Sequence, residues 1–99
     1  MANVGGWSET KDATKEIQNL CNQVKLEVEK RTGLDYKVYK ALKYRDQLVA
    51  GENYLIKVDV GADCLHLLLF QKLPCEGGQV EVLNVEQHKR RDDPLIPPF

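Results

Sequence analysis

A chain of 99 residues suits one domain and leaves little room for two. Its 14 basic and 15 acidic side chains leave a net charge of −1, which gives no electrostatic reason to expect nucleic acid or an anionic membrane as partner. With 42% hydrophobic and 29% charged residues, the composition is that of a soluble, ordered domain rather than a disordered segment.

The first residues, Met1-Ala2-Asn3-Val4-Gly5-Gly6-Trp7-Ser8, show no basic region followed by an apolar one. A secretory signal is therefore not expected, although a chain whose signal had been removed would look the same. Gly5-Gly6 makes the backbone pliable, so residues 1–12 are read as a mobile arm carrying one exposed aromatic, Trp7. From Thr14 the pattern becomes helical: Ile17, Leu20, Cys21, Val24 and Val28 recur on one face, with charged and amide side chains between them. Thr14 can cap the start, Lys30 and Arg31 suit the negative end, and Gly33 supplies a left-handed stop. One long amphipathic helix is expected, with Leu26 the one apolar residue on its polar side.

Beyond Gly33 the period falls to two. Tyr36, Val38, Lys40, Leu42 and Tyr44 share one side of a first strand, and Tyr54, Ile56, Val58 and Val60 one side of a second. The turn between them lies within Gln47–Asn53. Gly61-Ala62-Asp63 signals the next turn, followed by a strand from Cys64 to Lys72. Leu73-Pro74-Cys75-Glu76-Gly77-Gly78 signals the last, followed by a strand from Val80 to Glu86. The tail, residues 90–99, holds three of the four prolines and cannot be a central strand. The expected fold is a single α+β domain over residues 1–99, a long helix laid across a four-stranded antiparallel meander.

No run approaches the ~20 apolar residues that span a bilayer. Three cysteines, Cys21, Cys64 and Cys75, cannot all pair within one chain, so reduced thiols and a cytoplasmic address are the simplest reading. Cys21 falls on the apolar helix stripe as a small buried hydrophobe. Cys64 and His66, two apart on one strand, could form a nucleophile–base pair or half a metal site, but no third group is identifiable. His88 is expected on the exposed end of the last strand. Cys75, in an exposed turn, is the thiol open to oxidation. Arg90-Arg91 beside Asp92-Asp93 reads as a self-compensating, solvated charge cluster. Neither a catalytic residue, a metal nor a cofactor is expected.

Three segments occur in order: Gly5-Gly6 in a short arm, Gln47-Leu48-Val49-Ala50-Gly51 at a hairpin, and Leu73-Pro74 near the C-terminal end. Together with flanks such as Gly51-Glu52-Asn53-Tyr54-Leu55-Ile56-Lys57-Val58 and Phe70-Gln71-Lys72-Leu73-Pro74, they make the chain resemble the stefins, the type 1 cystatins, from the arm to Phe99. The departures are Leu48, where that family usually has Val, a bulky Trp7 where an aliphatic residue is usual, Cys75 at a variable position, and extra prolines in the tail.

The resemblance implies a cystatin-like fold and a non-enzymatic function, the reversible, competitive inhibition of papain-like cysteine proteases such as cathepsins L, H, B and S. By carry-over, Val4, Gly5 and Gly6 would enter the non-primed side of the protease cleft, with Gly5 near the catalytic cysteine. Gln47, Leu48, Val49, Ala50 and Gly51 would form the middle of a wedge, and Leu73 and Pro74 its far side. The residue types suit such a wedge, since glycine allows close backbone approach and exposed leucines at a turn gain from burial by a partner. The alternative on the same frame is a binding module without inhibitory activity. The resemblance further implies a monomer able to exchange strands through the hairpin at 47–51.

Overall fold

The computed structural model describes residues 6–99. A two-residue strand β1 (Lys11–Asp12) precedes helices α1 (Lys15–Gln23) and α2 (Lys25–Thr32). Four longer strands follow: β2 (Lys40–Val49), β3 (Gly51–Asp59), β4 (Cys64–Gln71) and β5 (Val80–Lys89). The strands form one antiparallel sheet in the order β1-β2-β3-β4-β5, so each pairs with its neighbour in sequence. The α+β architecture is as expected, with two differences: a fifth strand and a break in the helix.

The helical ends follow the local chemistry. Thr14 accepts a hydrogen bond from the Ile17 amide, and Gly33 closes α2 at φ +75° with its N–H donating to Glu29 O. The break falls at Val24, whose amide donates to Cys21 O at 3.2 Å. Tyr39 Oη donates to the same carbonyl at 3.0 Å. A side chain inserted at that carbonyl takes the place of the next helical hydrogen bond, and the helix restarts one residue later.

Ile17, Leu20, Cys21, Val24 and Val28 are all buried, packed on Tyr54, Ile56, Val58, Leu65, Leu67 and Leu69 from one face of the sheet. Gln18 and Arg31 fix the helical layer laterally. Gln18 Oε1 accepts from the Ala41 amide at 2.7 Å, and Arg31 Nη2 donates to Val82 O at 2.8 Å. Leu26 is exposed, as the periodicity predicts.

The first long strand departs from strict alternation. Ala41 pairs with Val58 and Lys43 with Lys57, so Leu42 is a bulge residue and the pattern changes face there. Ala41 is consequently buried in the core, and beyond the bulge Tyr44 packs against it while Arg45 points to the opposite face.

That opposite face is covered by the tail. Leu95 is 3% exposed and packs with Leu55, Leu68 and Trp7. Lys57, equally buried, donates from its ammonium to the carbonyls of Arg91 and Asp93. Arg91 also reaches Asp59 at 2.7 Å, so the charge cluster at residues 90–93 fastens the tail rather than being merely solvated. Part of the expected arm is likewise fastened. Ser8 N donates to Asp46 O at 2.7 Å and β1 pairs with Tyr44 and Lys43, which holds residues 8–12 on the edge of β2.

Among the described residues, no helix is long and apolar enough to cross a membrane. All three cysteines are free, Cys21 and Cys64 buried and Cys75 exposed.

Candidate functional site: one end of the sheet

The β2–β3 turn is tight. Val49 pairs with Gly51, leaving Ala50 alone at the tip. Below it, Asn53 Nδ2 donates to Gln47 Oε1 at 3.0 Å, and both side chains are buried. Gln47 therefore braces the hairpin from inside. Gly51 has φ +123°, and a Cβ there would stand 2.5 Å from Gln71 O and 2.8 Å from the Phe70 ring. Both the backbone angle and the space admit only glycine. Leu48 points the other way and is 71% exposed, a large apolar side chain without cover.

The β4–β5 turn is held by its own backbone. Pro74 begins a single 3₁₀ turn, Pro74–Glu76, where its missing N–H costs nothing. Leu73 O accepts from both Glu76 N and Gly78 N, at 2.9 and 3.0 Å. Lys72 N donates to Gln79 O, and Gln71 Nε2 to Gly78 O. Leu73, Pro74 and Cys75 are left exposed.

The two turns lie side by side. Leu48, Gly51 and Glu52 of one share an open groove of about 380 Å³ with Leu73 and Pro74 of the other. On the other side of β2, Ser8 hydrogen-bonds both ways with Asp46, its amide donating to Asp46 O and its Oγ accepting from Asp46 N at 3.0 Å. Lys11 closes this edge with an ion pair to Asp46 at 3.2 Å. Burial holds the Glu52 carboxyl above its usual range, opposed by a hydrogen bond from Tyr54. The base of the arm and both turns therefore occupy one end of the sheet. Gly6 is exposed, while Val4 and Gly5 lie outside the described residues.

Cys64 and His66 do share a sheet face, but it is the face under the tail, and each is at most 3% exposed. Burial pushes the Cys64 thiol up. Burial, with Lys57 and Lys89 nearby, takes His66 down to about 4. Both shifts oppose a thiolate–imidazolium pair. His88 is exposed and contacts Asp63 through Nδ1 at 2.8 Å.

Comparison with known proteins shows the family. A family model described as Cystatin domain matches residues 5–92. The chain belongs to the cystatin family. Within it, this cystatin is a stefin by its relatives. It is 45% identical over 94 residues to Stefin-C of Bos taurus, covering 94% of this chain and 93% of that one. It is 41% identical over 92 residues to Cystatin-B of Oplegnathus fasciatus, covering 92% of each. To the Sus scrofa protein named Leukocyte cysteine proteinase inhibitor 1 it is 40% identical, covering 92% of this chain and 89% of that one.

The cystatin's two turns were visible in the sequence as motifs. The parts that sequence reasoning missed are Trp7, Arg45 and Leu95, which join arm, sheet and tail. Arg45 Nε donates to Ser8 O and its Nη1 to Leu95 O, both at 2.8 Å. A lone arginine in an alternating strand gives no sign of such a role.

Proposed function

We propose that this stefin is a reversible, tight-binding competitive inhibitor of papain-like cysteine endopeptidases, papain and cathepsins L, H, B and S among them. It acts as an inhibitor and not as an enzyme, in the cytoplasm, on a protein cleft rather than on nucleic acid or a membrane. The observation that carries this reading is the exposed Leu48 beside Leu73-Pro74, on two braced turns next to the base of the arm.

Val4, Gly5 and Gly6 would run along the non-primed subsites. Leu48, Val49 and Ala50 would fill the middle of the cleft on a hairpin set by Gln47 and Gly51, and Leu73-Pro74 would close the primed side. Burying a leucine such as Leu48 contributes roughly 1.5–3 kcal/mol. Both turns are already fixed by hydrogen bonds, so little of that gain is lost to ordering. Nothing in such a wedge places a scissile peptide bond in attack geometry, so the blocked enzyme is released intact.

Titration of papain or cathepsin L with the protein tests the reading. Activity should fall in proportion to inhibitor added and recover on dilution; undiminished activity at micromolar protein would overturn it. The chain is mainly a monomer on this reading, and opening the hairpin at Ala50 would allow two copies to exchange strands. Size-exclusion chromatography after heating should then show a dimer peak, and monomer alone would argue against exchange.

A further inference from the structure

We propose that the C-terminal tail is a positioning device for the N-terminal arm: Trp7, clamped between the tail and the sheet, fixes where residues 1–5 leave the frame and so governs how long a bound protease is held. The proposal rests on the wedge reading above.

The clamp has three independent parts. Trp7 Nε1 donates to the backbone oxygen of Phe99 at 3.0 Å, and the two rings meet with centroids 5.7 Å apart, tilted by 57°. The same indole packs on the cluster formed by Leu55, Leu68 and Leu95. Arg45 then ties both strands of chain together, holding Ser8 O with one nitrogen and Leu95 O with another. The tail bearing these contacts is itself anchored by Lys57 to Arg91 O and Asp93 O. Immediately before Trp7, a Cβ placed on Gly6 would meet nothing within 4 Å. Among the described residues, Trp7 is therefore the first side chain from the N-terminal side that both tail and sheet hold.

A tether anchored at its root explores less volume than one released a residue or two further along, and the arm then re-engages the cleft sooner after each local detachment. Ordering one large side chain in advance changes the dissociation rate by roughly 3- to 10-fold. Phe99 is 67% exposed and outside the core, so its removal tests the clamp without unfolding the domain.

The experiment measures association and dissociation rates with papain for the full chain, for the chain lacking Phe99, and for Phe99→Tyr, which keeps the ring and the backbone oxygen. Each is repeated on a chain lacking residues 1–5. The expected result is a dissociation rate about 3- to 10-fold faster without Phe99, an unchanged association rate and rescue by Phe99→Tyr. In the chain without its arm, loss of Phe99 should have no further effect. An unchanged dissociation rate, or the same increase with the arm absent, overturns the proposal while inhibition itself stands. Failure of the full chain to inhibit overturns the wedge reading and this proposal with it. A separate readout needs no protease: Trp7 is the single tryptophan, and its emission should shift to the red and lose anisotropy when Phe99 is removed. Identical emission would show that Phe99 does not hold the indole.

Discussion

Gly51 lies against Phe70 across the β3–β4 ladder, so closely that a Cβ on the glycine would stand 2.8 Å from the ring and 2.5 Å from the carbonyl oxygen of Gln71. The hairpin tip and the second turn are thereby packed as one body. Gly51→Ala must both occupy that space and hold φ +123°, a conformation that costs a side-chain-bearing residue about 1–3 kcal/mol before any clash is counted. Chemical denaturation should show a loss of about 2–4 kcal/mol. A loss below about 0.5 kcal/mol, the range of ordinary surface substitutions, would mean the strand rearranges freely.

Leu48 separates binding from folding. It is exposed and touches no core residue cluster, so Leu48→Asp should leave the unfolding free energy within about 0.5 kcal/mol of the wild type. Papain inhibition should weaken by at least about tenfold, the loss of a buried apolar anchor and the burial of a charge. Equal affinity would show that the hairpin tip does not enter the cleft.

His66 makes stability depend on pH in a defined direction. Its ring is buried, Nε2 has no hydrogen-bond partner among the described residues, and burial together with Lys57 and Lys89 lowers its pKa from 6.5 to about 4, with Asp93 opposing. The unfolded chain binds the proton more readily, so the stabilisation is complete above pH ~6.5 and is lost as pH falls towards the folded value. Between pH 7.5 and 4.5 the wild type should lose about 2 kcal/mol more than His66→Leu. Parallel losses in the two proteins would show that His66 does not carry the effect.

Lys57 anchors the tail, and its truncation should free it. In Lys57→Met the stem stays in place while the two hydrogen bonds to Arg91 O and Asp93 O disappear. Hydrogen exchange across residues 90–99 should accelerate, with a stability loss of about 1–3 kcal/mol. Unaltered exchange there would place the anchor in Leu95 alone.

How far these features could be read from the sequence depends on whether the physics that sets them is local. The caps at Thr14 and Gly33 depend on one or two neighbours, and both are where the residue types put them. The stripe from Ile17 to Val28 and the alternation in β3 report burial on one face, and every member of the stripe is buried. The interruption at Val24 comes from Tyr39, well beyond the helix in the chain, and the bulge at Leu42 from pairing with β3. Neither cause lies in the window where its effect appears. In the tail, Leu95 stands beside Ile96 among prolines and charges, with no period to mark which of the two is core. The glycine and Leu-Pro motifs were legible because turns are written in a few residues. Gln47 was legible as part of a motif but not as an internal brace, since its partner Asn53 sits on the returning strand.

With the helices over one face of the sheet and the tail over the other, the exposed tip residues stand clear of everything that folds the domain. Leu48, Ala50 and Leu73 can be exchanged for side chains of other sizes without disturbing a core contact, while any exchange at Gly51 meets both strain and a clash. On the proposed wedge reading, selectivity among proteases would be retuned on a fixed support. A library varying those three positions would alter preference between enzymes while its members share one melting temperature.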